Sequence, residues 1–328
     1  MPKIGRWVGA AAALLVASAT HAGAQEKVNF LTSWKAQAEH GGYYQALVKG
    51  YYKACGVDMT IRQGGPGIDT AQLLTGKAVD FSMSSHIDGI LHMNAAGFPA
   101  RALSAAFQIT PQILMAHADS DINSFEDMKG RPIMISQGSR ATYWPYFRKK
   151  FGWEETQLRS YSGQLAQWLS DKNIVQQGLV TNEPYIVKHQ VGWSPKVFML
   201  ADAGYRTYGS ILTTSQEFID RKPNAVQCVV SATSKGWIEF MNGDPTPALK
   251  AIKEAAPNNT DDLMADTIKT IKDRKLAMNA DTEKMGFGIM TEERWKAHYD
   301  LLKDVNLLKA DVDVRSVLAL QYLKAASN

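Results

Sequence analysis

Aromatic and polar side chains recur together in four short segments of this sequence. Trp34 precedes Glu39, His40, Tyr43 and Tyr44. Ser84 and Ser85 precede His86. Gln137, Ser139 and Arg140 lead into Tyr143, Trp144 and Tyr146. Asn182 and Glu183 precede Tyr185. Flat aromatic faces on opposing loops can sandwich a flat ligand, each contact adding roughly 0.5–1.5 kcal/mol beyond area burial. Glu183, between Asn182 and Pro184, could accept N–H groups from such a ligand, or could simply complement a helix N-terminus. Arg140 could hold a carboxylate or sulfonate through paired hydrogen bonds, or remain a solvated surface charge. Tyr44, Tyr51, Trp144 and Tyr146 could equally pack helices against sheets. Trp34 differs from them, because it lies beside Lys35 and Gln37 with no helical or strand periodicity to bury it. The ligand contacts expected from these segments are Trp34, Glu39, His40, Tyr43, Ser84, Ser85, Gln137, Ser139, Arg140, Tyr143, Asn182, Glu183 and Tyr185.

Searches for catalytic and metal motifs return little. The chain has no G-x-S-x-G, H-E-x-x-H, C-x-x-C, G-x-x-x-x-G-K-[ST] or G-x-G-x-x-G. His86 and His92 fall on different faces of a helix, so a two-histidine metal site is not expected. Ser84 or Ser85 reads as the cap of a helix beginning at His86 rather than as a nucleophile. No cofactor is called for.

The elements that would position these segments alternate between strands and helices. Apolar β-type runs at residues 28–31, 57–63, 79–85 and 100–107 flank helical patterns at 43–54, 68–77 and 86–96. The grammar restarts with strands at 113–118 and 131–136, a loop at 137–142, and a helix at 143–151. Further strands at 158–162, 176–181 and 197–200 alternate with helices at 166–173 and 182–190. After Ser215 the pattern is almost entirely helical, over residues 218–241, 245–256, 261–272, 291–305 and 314–326. This is an α/β chain with two mainly parallel sheets flanked by helices. A ligand would sit where strand C-terminal ends of the two units face each other, at loops 32–42, 82–88, 137–143 and 181–185. The first lobe is expected to hold residues 25–111 and 213–328, with the helical tail returning to it, and the second lobe residues 112–212. Residues 108–112 and 209–215 would be the crossovers.

The chain has 328 residues, 45% of them apolar and 21% charged, which are ordinary globular values. Residues 1–24 read as a cleavable signal peptide. Lys3 and Arg6 precede a mostly apolar run at 8–19, and Ala22-Gly23-Ala24 supplies the small-residue cleavage pattern. Losing Lys3 and Arg6 takes the net charge from +4 to +2, too small a surplus to argue for nucleic acid. The run is shorter than the ~20 residues that span a bilayer, and no cysteine follows it as a lipid anchor. The sequence leaves open whether Cys55 and Cys228 pair. Two buried free thiols are the expectation, since a chain of this length needs no staple.

Several of these segments, taken in order, resemble a known family. They are FLTSWKAQAEHGGYYQA, GYYKACGVDMTI, GKAVDFSMSS and QQGLVTNEPY. They are similar to the periplasmic solute-binding proteins of ABC transporters, in the group with thiamine-pyrimidine, sulfonate and nitrate binders. The resemblance covers most of residues 27–240. It implies a two-lobed binding protein that closes on a small molecule and docks, as a monomer, on a membrane permease served by an ATPase. By position, Trp34 and His40 match the family's first-loop Trp and His, and Glu183 falls where a pyrimidine binder's carboxylate is expected. The ligand implied is a flat nitrogen heterocycle such as a thiamine-type pyrimidine, a flavin or a nucleobase. The alternative keeps the fold and takes a sulfonate, nitrate or aromatic carboxylate on Ser84, Ser139 and Arg140. An enzyme related to thiamine-pyrimidine synthase is a third reading, but the Cys-rich C-C-C-F-C segment of those enzymes is absent.

Overall fold

The computed structural model describes residues 25–326, so the signal-peptide reading of residues 1–24 lies outside the described residues. The first four strands are β1 (Glu26–Leu31), β2 (Val57–Arg62), β3 (Phe81–Ser84) and β4 (Ala100–Phe107). The next five are β5 (Gln112–Ala116), β6 (Ile133–Ile135), β7 (Leu158–Ser160), β8 (Val175–Leu179) and β9 (Lys196–Met199). A tenth, β10 (Gly209–Ser215), follows. They form two five-stranded sheets, ordered β2-β1-β3-β10-β4 and β7-β6-β8-β5-β9.

Both sheets are mainly parallel, each with one strand running the other way. In the first, β1 is parallel to β2 and β3, while β10 is antiparallel to β3 and β4. In the second, β6 is parallel to β7 and β8, while β5 is antiparallel to β8 and β9. The reversed strand in each case follows a crossing between the sheets. Continuous burial along β3 and along most of β4 fits strands covered by helices on both faces.

Three differences from the sequence reading have physical causes. Residues 209–215 are a strand inside the first sheet, not a bare crossover. Ile211, Leu212, Thr213 and Thr214 are all buried there, and β-branched residues suit a pleated, buried surface. The helix expected over 43–54 divides into Gly41–Val48 and Tyr51–Ala54, because Gly50 takes a left-handed φ of 71° between them. The helix expected over 218–241 divides into Gln216–Arg221 and Pro223–Asn242, since proline is tolerated only in a first turn.

The helical tail packs on the first sheet. Trp295 and Leu302, from the helix Glu292–Asp304, share a buried cluster with Ile87, Ile90 and Leu91. Ala319 donates its N–H to the Ala102 carbonyl, which fastens the end of the tail beside β4. Cys55 and Cys228 form a disulfide, correcting the expectation of two free thiols. Gly56 at φ 93° ends the preceding turn and lets Cys55 meet the helix Pro223–Asn242. That helix also lies tight against Gly41–Val48: a Cβ on Gly236 would sit 2.3 Å from the Gly42 carbonyl oxygen.

The crossing region carries a buried polar knot. Asp88 accepts from the Tyr205 hydroxyl at 2.6 Å and pairs with His298 Nε2, joining the helix Ile87–Ala95, the segment between β9 and β10, and the tail. Burial pushes the Asp88 carboxyl up, but His298, His86 and the Tyr205 hydroxyl together outweigh it and hold the group at about 2.

Candidate functional site

The C-terminal ends of the parallel strands from both sheets enclose a cavity of about 610 Å³, within the usual range for small-molecule sites. The loop after β1 contributes Ser33, Trp34, Gln37, Glu39 and His40. Ser84, Ser85 and His86 come from the end of β3. From the second sheet come Ser136 and Ser139 after β6, Tyr161 after β7, and Gln177 and Glu183 at the end of β8.

The first loop is held from behind. The Trp34 carbonyl accepts from Thr32 Oγ1 at 2.7 Å and from the Gly64 amide at 3.1 Å. Ala36 donates to Gln63 Oε1 at 2.8 Å, and its carbonyl accepts from Asn259 Nδ2 at 2.9 Å. Gly64 has no room for a Cβ, which would sit 2.4 Å from the Thr32 carbonyl oxygen. The half-buried Trp34 ring is thus presented from a fixed backbone. It faces Tyr161 of the opposite lobe, nearly parallel to it.

Glu183 begins the helix Glu183–Val191. Its Oε1 accepts from the Tyr161 hydroxyl at 3.1 Å and its Oε2 from the Leu179 amide at 2.6 Å. Gly178 leaves the space its carboxylate occupies; a Cβ there would lie 3.0 Å from Oε2. The residue keeps part of its surface open to the cleft. Loss of water around the carboxyl raises its pKa, against the pull of these hydrogen bonds.

Glu39 is 2% exposed and accepts from Thr181 of the second lobe. Burial pushes its carboxyl up to about 7. Beside it, Asn182 Nδ2 reaches Gln37 Oε1 at 3.3 Å, a second polar link between the lobes. His40 and His86 are both buried, which lowers them to about 3 and about 4, so both imidazoles are neutral near pH 7. The helix Ile87–Ala95 starts after His86 without a side-chain cap from Ser84 or Ser85. Instead its Ile87 amide donates to Thr207 Oγ1 at 3.2 Å.

Of the expected contacts, Trp34, Glu39, His40, Ser84, Ser85, Ser139 and Glu183 line the cavity, and the others do not. Tyr43 is buried against Phe30 and Trp237, with its hydroxyl on the Ser210 carbonyl. Tyr143 packs into the second core beside Phe147 and Tyr205. The helical turn Gln137–Ala141, which replaces the expected loop, turns Arg140 toward Ser160 Oγ. Gln137 is exposed and lies off the wall. Asn182 bonds to Gln37 instead of facing the cavity. Tyr185 stacks on His189, one helical turn along. Sequence reasoning missed Tyr161, which the strand pattern over 158–162 absorbed, and missed Gln37, His86, Gln112 and Gln177 as cavity residues.

Among the described residues lining the cavity there is no lysine or arginine; its acidic residues are Glu39, Asp69 and Glu183. The wall therefore offers acceptors and neutral polar groups, enclosed between aromatic faces.

A protein-family model described as NMT1/THI5 like matches residues 37–248. The riboflavin-binding protein RibY of Chloroflexus aurantiacus is 22% identical over 310 residues, covering 92% of this chain and 87% of RibY. The 4-amino-5-hydroxymethyl-2-methylpyrimidine phosphate synthase of Schizosaccharomyces pombe is 28% identical over 107 residues, only 33% of this chain and 31% of the enzyme. Among solved structures, the periplasmic aliphatic sulphonate binding protein SsuA of Escherichia coli superposes with a TM-score of 0.61. It is 13% identical, with 90% of this chain and 92% of SsuA covered. That likeness is one of fold: two lobes, each a sheet flanked by helices.

Proposed function

Since the chain belongs to the NMT1/THI5-like family, we propose that it is the periplasmic solute-binding receptor of an ABC importer, with a flat nitrogen heterocycle as its cargo. The observation that carries the ligand class is the charge of the cleft. A sulfonate, nitrate or aromatic carboxylate would enter a wall with acidic groups and no cationic side chain among its described residues. Burying an anion there without a partner costs several kcal/mol. Arg140, the residue an anion would need, donates to Ser160 instead. A thiamine-type pyrimidine, a flavin or a nucleobase presents a flat π-face to Trp34 and Tyr161 and N–H groups to Glu183. RibY, similar along most of both chains, is named for a flavin, which agrees with this class.

The protein works in this reading by closing its lobes on the cargo and presenting the closed form to a membrane permease. Capture, not turnover, is its activity. The partial likeness to a pyrimidine synthase makes turnover the outcome to look for.

The test is a thermal-shift screen of the purified protein against pyrimidines, flavins, nucleobases, sulfonates and aromatic acids, followed by calorimetry and product analysis on the hits. A ligand at about 100 times its dissociation constant adds about 2.7 kcal/mol of stability. Stabilisation by heterocycles with unchanged ligand recovered supports the reading. Stabilisation confined to the anions, or conversion of the heterocycle, overturns it.

A further inference from the structure

We propose that the hinge end of the cleft is a subsite, built on His86 and Gln112, that takes an uncharged hydroxyl-bearing substituent of the cargo. This rests on the reading of the cleft as a heterocycle receptor and extends it.

His86 follows β3 of the first sheet and Gln112 opens β5 of the second, and both residues line the cavity. His86 is 1% exposed, and neither ring nitrogen makes a hydrogen bond of good geometry, although Gln112 lies close enough to act on the ring. Gln112 Oε1 is also buried without a partner. Native proteins pair the great majority of such groups. Here these three atoms, and His40 Nδ1 with them, belong to residues from both lobes that line one cavity. The ring does not lack order: Tyr143 and Tyr205 hold it edge-on, at 6.2 and 5.4 Å between centroids.

The chemistry of the orphans selects their occupant. A neutral imidazole offers one donor and one acceptor, and the amide oxygen offers a further acceptor. A hydroxyl both donates and accepts, so it can meet either group. Ser85, Thr110, Ser136 and Ser139 add further hydroxyls to the same cavity. A phosphate or carboxylate in this position would find no cationic side chain among the described lining residues. The volume asks for more than a bare ring. At about 30 Å³ of liquid per molecule, the 610 Å³ cavity has room for on the order of twenty waters. The Trp34–Tyr161 end would grip the ring, while the crossover residues Thr110, Pro111 and Gly209 mark the hinge end where a side chain of the cargo would lie.

Matched pairs of probes test the proposal by calorimetry. Riboflavin and lumichrome share a ring system and differ in the hydroxylated chain. Riboflavin 5′-phosphate adds a charge to that chain. 4-Amino-5-hydroxymethyl-2-methylpyrimidine and 4-amino-2,5-dimethylpyrimidine form the smaller pair. The expected result is that, within at least one pair, the hydroxyl-bearing member binds about tenfold tighter or more, and the phosphate weakens flavin binding. In His86→Phe and Gln112→Leu that preference should fall to about threefold or less. Gln112→Leu alone carries the test if His86→Phe does not fold. Bare rings binding as tightly as their hydroxylated partners, or a preference that survives in the folded variants, overturns the subsite and leaves the receptor reading intact. Binding by no member of either pair, with no nucleobase among the hits of the thermal-shift screen, removes both.

Discussion

The Trp34 ring of one lobe and the Tyr161 ring of the other lie 9° from parallel, with their centroids 6.0 Å apart. A flat ring inserted between two faces needs about 7 Å, twice the ~3.5 Å contact distance. The pair must part by about 1 Å to admit cargo, or hold it slipped to one side. Tyr161 also donates to Glu183, so the stacking face and the acceptor move as one unit.

Trp34→Ala should cost about 2 kcal/mol of binding, or roughly thirtyfold, with little change in unliganded stability. Tyr161→Ala should cost a similar amount. Calorimetry on both single variants and the double variant should show a combined loss smaller than the sum, because each face loses its partner. Unchanged affinity in both singles removes the pair from the site.

Glu183→Gln keeps the shape and replaces an acceptor with a donor. It should weaken binding of an N–H-bearing heterocycle by about 1.5–3 kcal/mol. Tyr161→Phe should cost less, about 0.5–1.5 kcal/mol, since its hydroxyl acts on Glu183. The sign is diagnostic: if the best ligand is an anion, Glu183→Gln tightens it instead.

Stability should change less steeply between about pH 4.5 and 6.5 than below that window, and should fall as pH rises from there through about 7. Glu39, raised to about 7 by burial, and Glu183, raised in the same direction, bind protons more tightly folded than unfolded. Their contribution is complete below their unfolded pKa and is lost as pH rises through the folded one. His40 and His86, lowered to about 3 and about 4, contribute in the opposite sense and are lost as pH falls. The two effects oppose each other between about 4.5 and 6.5. Above that window Glu39 still loses its contribution, at up to about 1.4 kcal/mol per pH unit, until pH has passed its folded value of about 7. Asp88, held at about 2, adds a loss below pH 3.8. Urea denaturation across this range should show the reduced slope, and Glu39→Gln should flatten the alkaline flank. A wild-type curve rising steadily past pH 7 contradicts the assignment.

The Cys55–Cys228 disulfide closes a loop with a sequence separation of 173. Reduction, or Cys55→Ser with Cys228→Ser, should destabilise the protein by about 2–4 kcal/mol. Both cysteines belong to elements packed on the first sheet, so ligand affinity should stay within about twofold. Denaturation and calorimetry with and without reductant separate these effects.

Gly236→Ala should be among the most damaging single-methyl additions in the chain. Its Cβ would meet the Gly42 carbonyl oxygen at 2.3 Å and the Ala46 amide nitrogen at 2.8 Å, and neither is a side chain that can swing away. A loss of about 3 kcal/mol or more, or failure to fold, is expected. Gly89→Ala, where a Cβ meets nothing within 4 Å, is the control.

What the sequence revealed of this molecule follows from which forces leave a local trace. Strands such as β4 are mostly apolar, and their helices follow at regular spacing, so the alternation is plain to read. Strand β10 left a weaker trace, because its position between β3 and β4 is set by partners more than a hundred residues away. Trp34 was legible because no periodicity explained it. Tyr143 and Tyr185 misled for the opposite reason: an aromatic near a loop can turn inward to a core or stack along its own helix. Arg140 followed its helical turn away from the cavity. Tyr161 and Gln177 gain their place only when two sheets face each other, which no spacing within one segment encodes.

The position of β10 also sets an order of assembly as the chain is made. All strands of the second sheet lie between residues 112 and 199, so that half can finish while the first is still open. Until residues 209–215 arrive, β3 and β4 have no bridge between them, and each presents an unpaired edge. The first half to be synthesised is the last to close, and those two edges are the surface on which a holding chaperone, or a stray strand from a second molecule, would act during that interval.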